Sequence, residues 1–279
     1  MLNFVRSFLK NENIDLVSSI SLNECVIKRP YLLEKVGISQ GSVIIFAVPY
    51  LTCASCEKRN VSSYAVSRDY HLFFKQLFDK ILSELEELYP KNKFAAFTDH
   101  SPIDEIKAAA MSGLGVVGKN HLLITEKYSS YVFLGEIITD VPLSSNTGKI
   151  KYCAGCNSCI RACPVKTDIS LCLSSLTQKK GELSENEKEL IKKSGCVWGC
   201  DICQEVCPYT KKAIAKNTIF SNVDFFNQNL MPYITSDDIN VLSDSEFTQR
   251  AYSWRGRDTI LRNLLISEGK KDGEKPRSR

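Results

Sequence analysis

The chain has 279 residues, 43% hydrophobic and 24% charged, with a formal net charge of +4. That length holds one large domain or two ordinary ones, and that balance excludes a disordered chain. No apolar run approaches the ~18 residues of a membrane span, and Arg6, Lys10 and Glu12 interrupt the N-terminal stretch that a signal peptide would keep apolar. No membrane association is expected. The compartment reads as the reducing cytoplasm, and the mild positive charge permits a nucleic-acid partner without arguing for one.

Residues 1–147 read as mixed α/β. GSVIIFAVPY is a buried strand entered from a turn at Gly41. From Tyr70 to Tyr89, Leu72, Phe73, Leu77, Phe78, Ile81, Leu82 and Leu85 recur at helical spacing. FAAFT (94–98) is a second strand. Ser101-Pro102, followed by Asp104 and Glu105, reads as a helix start with Pro102 at the first helical position; the helix then runs to about Met111 and stops at Gly113. Residues 121–125 and 131–138 are further strands. Gly113, Gly115 and Gly118 spell G-x-G-x-x-G, but after a helix and before a strand, the reverse of a dinucleotide site. They read as a tight turn packed close to a large cofactor, with Lys119 and Asn120 supplying polar contacts. The third region, 213–279, holds short helical patterns and ends in a charged, apolar-free tail expected to fray.

The middle region, 148–212, is dense in cysteine. Nine of the 12 cysteines lie between Cys153 and Cys207. A reducing compartment disfavours structural disulfides, so metal or cluster ligation is the natural reading. Cys153, Cys156, Cys159 and Cys163-Pro164 spell C-x2-C-x2-C-x3-C-P, the bacterial ferredoxin run, whose first three thiolates hold one 4Fe–4S cluster and whose fourth serves another. Cys200, Cys203 and Cys207-Pro208 form a second set that lacks a leading cysteine, which Cys172 can supply. One cube then takes Cys153, Cys156, Cys159 and Cys207; the other takes Cys163, Cys172, Cys200 and Cys203. Structural zinc is the plainer alternative, but zinc sites seldom use the full run. Cys196 reads as a small buried hydrophobe beside Trp198, and Cys53 and Cys56 as incidental loop residues. Two clusters make a wire for single electrons. A ferredoxin alone needs far fewer residues than the region ahead of the clusters supplies, which argues for a redox enzyme with its reaction centre there.

Several stretches, in one order, resemble the epoxyqueuosine reductase family: SSYAVSRDYH (62–71), TDHSPIDE (98–105), GLGVVGKNHLLI (113–124), FLGEIITD (133–140), CLSSLT (172–177) and GCDICQEVCPYT (199–210). The similarity covers about residues 40–265, as in a short form without the family's C-terminal helical-repeat domain. It implies an α/β cobalamin-binding domain (1–147) similar to nitroreductases, fused to a ferredoxin-like double-cluster module (148–212), with a helical extension (213–279) packing back on the core.

The implied activity is reduction of epoxyqueuosine to queuosine in tRNA, with cobalamin and two 4Fe–4S clusters as cofactors. The anticodon loop would be the substrate and a flavodoxin or ferredoxin the external one-electron donor. The alternatives are a related cobalamin reductase of a small molecule and a non-enzymatic electron-transfer subunit. By the same resemblance Asp99 matches the proton donor, against a plain helix-capping role, and cobalamin contacts fall on Ser62, Tyr64, Asp99, Lys119, Asn120, Leu123, Leu134 and Ser174. Ser62 stands where some members carry a cysteine. His71 is either a lower cobalt ligand or a hydrogen-bonded helix-end histidine. Arg255, Arg257, Arg262, Lys179 and Lys180 are either phosphate contacts or a solvated basic face.

Overall fold

The structure, a computed structural model, describes residues 1–145, 147–166 and 172–269. The fraying expected of the charged tail lies almost wholly outside the described residues. Contacts divide the chain into two compact units. Unit 1 is Met1–Tyr50, His71–Asn157 and Pro208–Val223; unit 2 is Leu51–Tyr70, Ser158–Cys207 and the described residues from Asp224. Each unit draws on three stretches of chain, and residues 51–70 belong with the cysteine-rich segment.

Unit 1 contains α1 (Leu2–Asn11), β1 (Leu16–Ser21), α2 (Pro30–Val36), β2 (Ser42–Pro49) and α3 (Tyr70–Leu88, apart from its first residue). These are followed by β3 (Phe94–Phe97), α4 (Glu105–Met111), β4 (Val116–Val117), β5 (Leu123–Ile124) and β6 (Val132–Thr139). A helix at Pro208–Ala215 completes it. The main sheet has the order β1-β2-β6-β3, antiparallel throughout, and β4 and β5 form a small hairpin.

β2 is buried along its whole length because both faces of this central strand are covered. Side chains alternate, so Val43, Ile45 and Ala47 join Ala108, Ala109 and Ala110 of α4 in one core. Phe46 turns to the other face, 6.3 Å from Phe74 of α3 between ring centroids. Gly135 of β6 is fixed by that aromatic packing: a Cβ there would meet the Phe46 ring at 2.5 Å and Phe74 at 2.7 Å. α3 forms where its 3.6-residue apolar stripe predicts, burying Phe73, Phe74, Leu77, Ile81 and Leu85.

Unit 2 contains α5 (Ser158–Ala162), α6 (Leu173–Thr177), α7 (Glu185–Ser194) and α8 (Ile202–Glu205), with later short helices at Ser236–Val241, Asp244–Phe247 and Arg257–Ser267. Its larger core surrounds the fully buried Trp198, which meets Tyr252 edge-on at 6.1 Å. A smaller core joins Leu173, Leu176, Leu183 and Ile191 to the flanks of Cys196 and Cys200. α7 opens on a capping box between Ser184 and Glu187 and closes on Gly195 in the left-handed conformation.

Candidate active site and cluster-binding segments

The loop after β3 carries the candidate acid. The Thr98 hydroxyl donates to the Leu134 carbonyl at 2.9 Å, and Asp99 follows with φ of 59°, left-handed for a residue with a Cβ. The Asp99 side chain is half exposed, and its Oδ2 lies 3.5 Å from Nε2 of His71 in the first turn of α3.

The helix after this loop begins at Glu105, not Pro102. The Pro102 carbonyl accepts the amides of Lys28 and Arg29 at 2.7 and 3.0 Å, which diverts it from helix. Asp104 is the N-cap and accepts the Lys107 amide at 3.2 Å. Neither Asp99 nor Ser101 caps that helix. Ser101 is buried; its hydroxyl donates to Glu136 and accepts the Ile103 amide at 3.1 Å.

Two further carboxyls lie behind Asp99. Glu136, in the middle of β6, is fully buried, and its Oε1 has no hydrogen-bond partner. Burial drives its pKa well above the usual range and Glu105 adds to the rise, against the opposing Ser101 bond. Glu105 accepts the Asp99 amide, while its own Oε2 is buried without a partner. Burial, then the Asp99 charge, pushes Glu105 up to about 7. Cys25 is pushed up to about 12 by burial first, then by Glu136 and Glu24.

The glycine turn forms the β4–β5 hairpin. A Cβ on Gly115 would meet the Ile124 carbonyl oxygen at 2.4 Å, and one on Gly118 would meet Asn120 Oδ1 at 2.2 Å. These glycines therefore have a reason within the chain: the hairpin closes on itself. Beside it opens a cavity of about 850 Å³ lined by Gly113–Val116, Met111 and Ile124, with Lys149, Lys151, Lys212 and Tyr209 at its polar wall. That volume suits a sizeable organic ligand. Lys119 donates to Asn157 Oδ1 at 2.7 Å, and Val117 is bonded to Lys151 and Cys153 through the backbone. The turn is thus tied directly to the start of the cysteine run. The Leu123 and Leu134 side chains are committed to the core.

In unit 2 the expected ligands of the second cube lie on linked elements. Cys163 follows α5, Cys172 caps α6, Cys200 precedes α8 and Cys203 lies within α8. α5 packs on α8, and Thr177 of α6 accepts the Gly199 amide at 2.9 Å. All four cysteines are partly exposed. Among the described residues no three His, Cys, Asp or Glu side chains are gathered as ligands of a single ion. A cube differs in that each sulfur binds its own iron. The set expected for the other cube takes Cys153 and Cys156 from unit 1 and Cys159 and Cys207 from unit 2.

Cys196 is half-buried rather than fully enclosed, and its thiol shares a hydrogen bond with Cys200, which eases loss of the first proton and hinders the second. Sequence spacing gave no sign of that contact. Ser62, Tyr64 and Ser174 also belong to unit 2. Ser62 is buried and its hydroxyl donates to Asp201 Oδ1; the Ser63 amide donates to Oδ2 at 2.6 Å. Arg59 completes the Asp201 neighbourhood at 3.3 Å. Gly199 packs so tightly on Ser62 and Tyr64 that a Cβ would approach them to 2.5 and 2.9 Å. Ser174 lies in α6, where its carbonyl accepts Thr177 and Gln178.

Four of the basic residues have intramolecular partners. Arg257 donates to the carbonyls of Ile239 and Leu242, Arg262 to Gly181, and Lys179 pairs with Glu187 at 2.8 Å. Arg255 stacks on Trp254 at 3.7 Å.

This fold, a unit built on a small antiparallel sheet with helices and a cysteine-rich helical unit, is shared with solved epoxyqueuosine reductases. The Streptococcus thermophilus structure matches with a TM-score of 0.77 at 23% identity, over 95% of this chain and 80% of that one. A structure of an epoxyqueuosine reductase with an epoxyqueuosine-modified tRNA-Tyr stem loop matches with 0.74 at 21% identity, over 95% and 80%.

A family profile described as "Epoxyqueuosine reductase QueG, DUF1730" matches residues 33–100. The Gloeobacter violaceus epoxyqueuosine reductase is 34% identical over 218 residues, 74% of this chain and 68% of the relative. The chain belongs to the epoxyqueuosine reductase family. It spans 59% and 54% of the length of two other curated relatives, from Lactococcus garvieae and Listeria monocytogenes.

Proposed function

We propose that the chain reduces epoxyqueuosine to queuosine in tRNA, using cobalamin and two 4Fe–4S clusters fed by an external one-electron donor such as a flavodoxin or ferredoxin. The observation that carries this reading is the Asp99 loop. A half-exposed carboxyl paired with His71, on a strained left-handed turn, stands in a family whose substrate is an epoxide. In this reading unit 1 is the nitroreductase-like cobalamin-binding part and the cysteine segments form the ferredoxin-like module. The tRNA stem loop held by a solved relative supports the anticodon loop as substrate. No helix among the described residues is long and apolar enough to cross a membrane.

The donor sets fit the cofactors. Eight cysteines supply four thiolates to each cube, and the lysine-walled cavity beside the glycine hairpin offers room and positive charge for a large cofactor bearing a phosphate. When bound, cobalamin and the clusters would supply the electrons. The chain's own residues handle the protons. Converting an epoxide to an alkene takes two electrons and two protons and releases the oxygen as water. The Asp99 carboxyl would deliver one proton to the oxygen as the C–O bond opens and, reprotonated from solvent, the second as water leaves, while His71 Nε2 would hold the carboxyl in place. Lys119 and Asn120 would stay with the hairpin that borders the cavity.

The test is complementation of a bacterial strain lacking its own epoxyqueuosine reductase, scored by nucleoside analysis of bulk tRNA. Queuosine should replace epoxyqueuosine. Persistent epoxyqueuosine, from protein carrying both clusters and cobalamin, would favour a small-molecule reductase.

A further inference from the structure

Cys53 and Cys56, incidental loop residues by sequence alone, take a defined geometry in the structure. They open and close a 3-10 turn, Cys53–Cys56, which lies in unit 2 between extended residues Thr52 and Glu57. A 3-10 helix has 3.0 residues per turn, so residues i and i+3 eclipse and share one face. Its rise of about 2 Å per residue sets their Cα atoms about 6 Å apart, inside the roughly 4.4–6.8 Å that a disulfide spans.

The turn is held from its inner side. Ser55, between the two cysteines, is buried; its hydroxyl shares a hydrogen bond with that of Thr52 at 3.2 Å, and its carbonyl accepts the Arg59 guanidinium. Arg59 reaches on to Asp201 at 3.3 Å and to Glu205. The backbone closes through the Ser55 amide on the Thr52 carbonyl at 3.1 Å and the Glu57 amide on the Ala54 carbonyl at 3.2 Å. Cys53 and Cys56 are both exposed and unbridged. Burial first, then the Cys53 charge, raises the Cys56 thiol, with Arg59 opposing.

We propose that Cys53 and Cys56 form a redox-active dithiol, which closes to an intramolecular disulfide and reopens by exchange with low-molecular-weight disulfides and thiols. The pair is set apart from metal chemistry. A closed zinc site needs four ligands, and among the described residues no three His, Cys, Asp or Glu side chains are gathered for one ion. Because both residues are exposed, small disulfides have access to them, and an exposed disulfide is labile rather than structural.

In the forward direction one cysteine thiolate attacks the S–S bond of the small disulfide, giving a mixed disulfide and one released thiolate. The thiolate of the other cysteine then attacks the protein sulfur of that mixed disulfide. The Cys53–Cys56 bond forms and the second small thiolate leaves. The pair loses two electrons, the small disulfide gains them, and the two cysteine protons end on the two released thiols. The exchange uses neither Asp99 nor the expected cluster cysteines, and it stands independently of the epoxide chemistry.

The test uses the anaerobically reconstituted full chain, equilibrated in glutathione buffers from fully reduced to fully oxidised, quenched with an alkylating agent and digested with trypsin. The tryptic peptide 36–58 holds Cys53 and Cys56 and no other cysteine, so mass spectrometry reads the state of the pair. It should pass from two alkylated thiols to one internal disulfide with a single midpoint, at unchanged iron content, and return in full on adding a dithiol reductant. Cys53→Ser and Cys56→Ser, both at exposed positions, should each stop at the mixed disulfide with glutathione. Two alkylated thiols across the whole series, or two glutathiones on one peptide in place of a bridge, would overturn the proposal. So would a bridge that forms only as iron is lost, or stoichiometric zinc held by the wild type and absent from both variants.

Discussion

Replacing Glu136 by Gln should change how stability depends on pH more than it changes stability itself. Glu136 lies opposite Ile45 and Phe97 in the sheet, fully buried, with Ser101 as its donor. Its folded pKa is raised well above 4.5, first by burial and then by Glu105. The native state therefore keeps a proton that the unfolded chain has already lost. The sign follows from linkage: stability is complete below about pH 4.5 and falls as pH rises towards the folded pKa, by about 1.4 kcal/mol per unit.

The loss continues with rising pH until the raised folded pKa is reached. Gln has no such proton to lose and still offers a carbonyl to Ser101, but its amide nitrogen replaces the unpartnered Oε1 and costs about 1–3 kcal/mol at every pH. The two profiles should cross, with the wild type more stable near pH 5 and the variant equal or better near pH 8. Urea midpoints of the anaerobically reconstituted proteins, taken between pH 5 and 8, measure this directly. Parallel profiles would refute the claim that Glu136 is a proton-holding carboxyl.

Asp99→Asn should bind cobalamin and retain iron but lose turnover by roughly 10²–10⁴-fold, since an amide cannot deliver the proton; wild-type turnover would make Asp99 a structural turn residue. Cys172→Ala should lose about half of the eight irons and sulfides expected from two cubes, whereas Cys196→Ala should leave the count unchanged, by iron and acid-labile sulfide analysis. Loss of a cube in Cys196→Ala would show that the Cys196–Cys200 contact marks a different ligand assignment.

Local patterns made much of the fold legible. The unbroken apolar run gave β2, and the helical stripe placed α3 to within a residue of its observed end. What escaped was set by partners distant in sequence. Pro102 looked like a helix start because the amides of Lys28 and Arg29 that claim its carbonyl lie some seventy residues away. Residues 51–70 fold with the cysteine segment because Ser62 and Ser63 bind Asp201, and nothing in their own composition says so. The His71–Asp99 pair is likewise non-local.

One signal was available in the sequence: in FLGEIITD, strand alternation puts Glu136 on the face of Leu134 and Ile138, which should have marked it as a buried carboxyl. The cysteine motifs were legible because ligand spacing is local. The Cys196–Cys200 contact was not, since four residues of separation carry no fixed geometry outside a helix.

The central claim is most directly tested by anaerobic turnover of an epoxyqueuosine-modified tRNA stem loop by protein reconstituted with iron, sulfide and cobalamin, with a low-potential one-electron donor present. The account predicts queuosine formation that requires both cobalamin and the clusters and is lost in Asp99→Asn. Unchanged epoxyqueuosine, with about eight irons and one cobalamin bound per chain, would contradict it.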